Sequence, residues 1–266
     1  MTLSRLALPA ALAAALTLPP TLPGAAPGPL ALPVAAASVP TGTPVFSNPL
    51  DVDNAWFPIE PGGFKVYVGR DGSDRVTIVE HHLLATRDFE WNSLTIPCRI
   101  VEETKFTGGR PVERSRAHFA QADDGSIYYF GDISADFPPP EGDDPEDDPN
   151  DTESSGWVVG ALGPEDPPDT VPGVGPFLFM PADPEPGDTW KPEDALPVVD
   201  ETDEVRRTGV RLRVPAGRFQ GCLEVLERSG IDPGHETKWY APGVGLVLGI
   251  SRGERLALQA GTLVRR

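Results

Sequence analysis

From residue 64 onward, apolar and polar positions alternate in short runs broken by turn residues, and no window sustains a helical period of 3.6. A period of two is the pattern of strands with one face turned to a core. Runs rich in Val, Ile, Thr and Phe occupy residues 64–68, 75–84, 92–104 and 111–121, separated by signals such as Asp71-Gly72-Ser73 and Thr107-Gly108-Gly109. Further runs at 204–214 and 219–229 are joined by Pro215-Ala216-Gly217. A last hairpin pairs 235–240 with 245–251 across Ala241-Pro242-Gly243-Val244, and 255–264 adds a closing strand. The pattern predicts a mainly β protein: a single curved antiparallel sheet or half-barrel meander with long Pro/Gly/acidic loops and little helix.

The sharpest local signal is HFAQADDGSIYYFGD at 118–132, where Asp124-Gly125 suits the centre of a two-residue turn. That turn sets Ala122 opposite Ile127, Gln121 opposite Tyr128, Ala120 opposite Tyr129 and Phe119 opposite Phe130. Both faces of the hairpin are then partly apolar, so it belongs in a sheet covered on both sides.

Composition changes the picture at two places. Arg5 precedes an apolar run at 6–18, followed by Pro19-Pro20 and a small-residue stretch ending at Ala37. Residues 1–37 read as a secretory signal peptide, with cleavage after Ala37 or Ala26. The run is shorter than the ~20 residues of a spanning helix, so the expectation is a secreted or periplasmic chain with no membrane span after signal removal. Residues 38–60 are then an irregular N-terminal segment that packs Trp56 and Phe57, and 61–266 the β domain. Cys98 and Cys222, the only two cysteines, would meet an oxidising compartment, where an even pair is expected to be a disulfide; two buried thiols are the alternative.

The second place is the charge. The net charge is −18, yet Ala117 to Trp190 holds no Lys or Arg and 18 acids, so the rest of the chain balances. A basic face for nucleic acid is missing. Residues at about 136–155 read as a disordered acidic loop. Asp143, Asp144, Asp147, Asp148 and Asp151 are weak calcium candidates there, although Pro145 and Pro149 break any EF-hand spacing.

No motif singles out a reaction. His81 and His82 are adjacent on a strand and face opposite ways, no H-E-x-x-H or G-x-S-x-G occurs, and forty acids single out no pair. No catalytic residue, cofactor or metal ligand is assigned. In 224–247, Glu236, Lys238 and Tyr240 share one strand face, while Thr237 and Trp239 share the other. Gln121, Tyr128, Glu236, Lys238 and Tyr240 are the candidate groove or register residues, and register is the favoured role for Glu236, Lys238 and Tyr240.

Several pieces together resemble a family of exported bacterial β proteins without an assigned activity. They are PCRIVEE at 97–103, the E-R-x-x-x-x-F-A-Q-x-D-D-G-S-I-Y-Y-F-G-D run from Glu113, MPADPEPGD at 180–188, VPAGRFQGCLEVLE at 214–227 and ETKWYAPGVGLV at 236–247. The resemblance implies a curved sheet similar to the half-barrels of periplasmic lipoprotein carriers, and both cysteines fall within matching pieces. It brings no catalytic residues. The first expectation is a non-enzymatic exported protein binding an apolar or amphipathic ligand or an envelope partner. The alternatives are an extracellular carboxylate-dependent hydrolase, which two buried carboxyls of raised pKa in one cleft would favour, and a structural or calcium-tuned surface protein.

Overall fold

The computed structural model describes residues 39–137, 154–231 and 233–264. The expected signal peptide, the five calcium candidates and most of the expected acidic loop lie outside these residues. The described residues form strands and no helix: β1 (Phe64–Asp71), β2 (Asp74–Trp91), β3 (Leu94–Thr107), β4 (Arg110–Gln121), β5 (Ile127–Asp136) and β6 (Ser154–Val158). Four short ones follow, β7 (Val171–Pro172), β8 (Phe177–Met180), β9 (Thr189–Trp190) and β10 (Asp194–Ala195). The chain ends with β11 (Val199–Val214), β12 (Gly217–Ser229), β13 (His235–Ala241), β14 (Gly245–Ile250) and β15 (Glu254–Gly261).

These strands make one curved sheet in the order β10-β11-β12-β13-β14-β15-β1-β2-β3-β4-β5-β6-β7, not closed into a barrel. Two local meanders, β1–β6 and β11–β15, are fused where β15 runs antiparallel to β1, with Lys65 opposite Gly261 and Asp71 opposite Glu254. The pairing of β6 with β7 is parallel. Between the two ends of the sheet runs a strap: β8 pairs with β5 and β9 with β11. The intervening MPADPEPGD stretch is fastened from both sides. Gly187 N–H donates to Val205 O and Val205 N–H to Asp188 O, both at 2.9 Å, while Ala182 N–H donates to Ser126 Oγ at 3.2 Å. This lays Phe179 and Glu193 over the inner face.

The meander expected from the alternation is present, with bounds shifted by a few residues and longer β2, β3 and β11. In β2, Val76, Ile78, Glu80 and His82 are buried on alternate positions; an irregularity between His82 and Thr86 then shifts the parity, and Phe89 becomes the buried residue. The 118–132 hairpin differs from expectation by one residue of register. Gln121 lies opposite Ile127, Ala120 opposite Tyr128 and Phe119 opposite Tyr129. The reason is the turn. Gly125 N–H donates to Ala122 O and Ala122 N–H to Ser126 O, each at 2.9 Å, and only Gly125 takes a positive φ, 86°. A four-residue turn closed by a left-handed glycine adds a residue that a two-residue turn lacks. As a result Phe119 and Tyr129 share a face and stack with centroids 4.6 Å apart.

The hairpin is covered on both sides, as its composition required. Phe46 packs on Tyr128 and Phe130, at 5.7 and 5.4 Å. On the other face Phe57 and Phe179 meet Phe119 at 4.7 and 4.9 Å. Asn54 pins the N-terminal segment there, its Nδ2 donating to Gly125 O at 2.9 Å and Pro181 O at 3.1 Å.

The expected disulfide is not formed. Cys98 and Cys222 are both free, buried thiols. They belong to different core clusters, and five strands lie between β12 and β3 in the sheet. Parity and compartment carry no information about distance, and sheet order separates the pair. Alkylation of the denatured, unreduced protein is expected to label both cysteines; a protein two hydrogens lighter that takes no label would restore the bridge.

Candidate ligand-binding cavity

Strand register assembles polar side chains on the inner face in rows. Across β1 to β5, residues Lys65, Glu80, Glu103, Ser115 and Ser134 are successive cross-strand partners. Across β11 to β13, Asp203, Glu227 and Glu236 are successive partners, and the neighbouring row is Val205, Val225 and Lys238. Curvature brings the two flanks together around a cavity of about 120 Å³. Its apolar wall includes Phe57, Val101, Phe119, Tyr129, Phe179 and Leu246. Its polar wall holds Glu80, Glu103, Asp132, Glu193, Glu201, Asp203 and Glu227, with Lys238 and Tyr240.

Like charges lined up on one face are unfavourable unless compensated, and part of this set is compensated. Glu80 receives Lys65 Nζ at 2.8 Å and His82 Nε2 at 2.7 Å. Burial alone would raise its pKa, but Lys65 and His82 prevail and hold it at about 2. With Nε2–H donating to Glu80, His82 Nδ1 accepts the Glu60 N–H at 3.0 Å. Lys238 is ion-paired to Glu227 and lies 3.8 Å from Glu236 Oε2. Burial would lower its pKa, yet Glu227 and Glu236 hold it well above the ordinary lysine value. Glu193 accepts the indole N–H of Trp157 at 2.5 Å.

The remaining acids are strained electrostatically. Burial pushes Asp203 well above the ordinary carboxylate range, and the Glu227 charge adds to it. Burial, then Glu227 and Glu193, does the same to Glu201; burial, then Glu80 and Asp132, does it to Glu103. Asp203 is 3% exposed, and its Oδ1 has no hydrogen-bond partner. Just beyond the cavity wall, burial raises Glu236 to about 8 despite Lys238. Glu236 fits because position 249 is glycine: a Cβ there would lie 2.4 Å from its Oε1. Two kinds of carboxyl therefore share one cavity, Glu80 and Glu227 paired with lysines beside Glu103, Glu201 and Asp203 raised by burial. Among the described residues no group of three or more His, Cys, Asp or Glu is arranged to hold a metal ion.

Of the candidate groove residues, Lys238 and Tyr240 line the cavity and Glu236 stands behind it. Gln121 and Tyr128 lie elsewhere. Gln121 Oε1 accepts the N–H groups of Asp53 and Asn54, both at 2.9 Å, so it fastens the N-terminal segment. Tyr128 is buried against Phe46. His81 is exposed and His82 buried, the opposite faces that alternation required. His118 is a core residue held at about 4 by burial, its Nδ1 3.1 Å from Gly131 O. The acids at 80, 103, 201, 203 and 227 were not singled out from the sequence. Their signal was local: Glu201 and Asp203 sit two apart between Val199 and Val205, at positions where a strand buries its side chains.

No family model matches the chain, and no curated protein is significantly similar to it. Among solved structures it is similar to a Parabacteroides distasonis protein described as a putative lipoprotein. The two share 14% identity with a TM-score of 0.38, over 77% of this chain and 97% of that one.

Proposed function

We propose that this chain is an exported, non-enzymatic binding protein that holds a small amphipathic ligand in the inner-face cavity. The observation that carries this reading is the mixed lining of the cavity, in which the aromatic Phe57, Phe119, Tyr129 and Phe179 stand together with a set of carboxylates. A volume of about 120 Å³ suits a compact molecule or the end of a longer one; a cavity of ~150 Å³ admits benzene. Export is supported by the Arg5 and 6–18 leader pattern. Native mass spectrometry of the protein purified from its own host is expected to show a bound small molecule that Phe179→Ala reduces. A bare mass under conditions gentle enough to keep non-covalent ligands, with no binding from a library of small amphiphiles, would overturn the reading.

A second reading has one observation in its favour. Glu103 and Asp203, whose carboxyls burial pushes above the ordinary range, lie beside the lysine-paired Glu80 and Glu227, an arrangement that resembles the division of labour in carboxylate hydrolysis. Glu80 and Glu227 are, however, engaged by Lys65 and Lys238, which leaves no unengaged base among those two. Turnover of chromogenic glycosides or esters that disappears in Asp203→Asn would establish this reading over the first.

A further inference from the structure

We propose that the cavity is built for a small organic monocation, an amine or quaternary ammonium whose charged head meets Asp203, Glu201 and Glu103 while its apolar body lies against Phe57, Phe119 and Phe179. The inference rests on the cavity being a binding site and names the chemistry of what it takes.

Three observations converge. The first is the charge balance of the wall. Once Lys65 is matched to Glu80 and Lys238 to Glu227, Glu103, Glu201 and Asp203 have no ion-pair partner among the described residues. The second is the orphaned Asp203 Oδ1, buried at the cavity with nothing to accept from. Buried polar atoms are rarely left so, and an unsatisfied one marks a group that a ligand completes. The third is the apolar part of the lining. A hard divalent cation seeks six or more oxygen ligands, whereas here the acids share the cavity with aromatic rings, and no metal-holding cluster is present among the described residues. An ammonium head with an apolar body uses both kinds of lining.

A positive charge arriving beside carboxyls that burial has raised lowers their pKa, so binding of a cation should be coupled to proton release. The groups facing Asp203 are Glu227 from β12, Glu236, Lys238 and Tyr240 from β13 and Glu193 from the strap, with Glu201 on its own strand. Those facing Glu103 are Glu80, Asp132, Glu113, Lys65 and Tyr67. Most are acidic, so the field around both sites favours the incoming cation.

Titration calorimetry at pH 7 in two buffers of different ionisation enthalpy tests this. The probes are choline and n-butylammonium, their neutral isosteres 3,3-dimethylbutan-1-ol and 1-butanol, and calcium chloride. Both cations are expected to bind with proton release and at least ~10-fold more tightly than the isosteres. Asp203→Asn and, separately, Glu103→Gln should weaken the cations by a similar factor and leave the isosteres unchanged, with the unfolding midpoint reporting that each variant is folded. Equal binding of cations and isosteres would overturn the charge inference and leave the cavity reading standing. Calcium binding without organic cations would replace the ligand class. No binding by any probe, together with a bare mass from the host, would end both.

Discussion

Raising the pH from 5 to 9 is expected to lower the thermal unfolding midpoint of this protein, and Glu236→Gln is expected to remove a large part of that loss. The Glu236 carboxyl is buried and titrates at about 8, well above its unfolded value near 4.5. A group raised in this way contributes stability that is fully present below about pH 4.5 and is lost as the pH climbs to 8. Glu254, raised to about 7 by burial, acts in the same direction, as do Glu103, Glu201 and Asp203. Glu80, held at about 2, acts oppositely: its contribution is present above about pH 4.5 and lost as the pH falls towards 2. The two trends place the stability maximum near pH 5. At ~1.4 kcal/mol per pH unit, the Glu236 shift has a ceiling of about 5 kcal/mol. The amide cannot ionise, so Glu236→Gln should raise the midpoint at pH 9 and change it little at pH 5. Calorimetric scans of both proteins at pH 5, 7 and 9 decide it; an equal destabilisation by the variant at every pH would show that Glu236 matters by its packing alone.

That expectation rests on side chains whose positions the sequence half discloses. Alternation located the strands and turned Glu236, Lys238 and Tyr240 to one face, because a period of two is a local property of the chain. What alternation leaves open is which strands become neighbours. The fusion of β15 to β1 joins residues nearly two hundred positions apart, and the two-residue β9 carries no pattern of its own, although its seat on β11 positions the strap. Those two contacts bring the β2–β5 acids to the β11–β13 acids. Against forty acids in the chain, the few that matter are marked by occupying inward positions in strands. The hairpin register turned on one residue of loop, since Asp-Gly serves both a two-residue turn and a turn closed by a left-handed glycine. The one-residue difference decides whether Phe119 stacks on Tyr129 at the cavity.

The largest single loss of stability is expected from Lys238→Met. The ammonium is buried among Glu227, Glu236, Glu201 and Tyr240, and it is ion-paired to Glu227. Removing one partner of a buried pair leaves the other charge uncompensated in a low-dielectric site, which typically costs about 3–5 kcal/mol. Methionine keeps most of the stem's volume, so the loss reads the charge and not a void. The carboxyls left behind have one escape, which is to take up protons. The penalty of Lys238→Met should therefore shrink as the pH falls from 8 to 5. Glu227→Gln tests the origin of the loss, because it removes the charge that the lysine neutralises. Urea unfolding of wild type, both single variants and the double variant at pH 7 is expected to give a double variant much more stable than the sum of the two single losses. Additive losses would mean that Lys238 and Glu227 stabilise the sheet independently, and the acidic inner face would then owe its compensation to Lys65 alone.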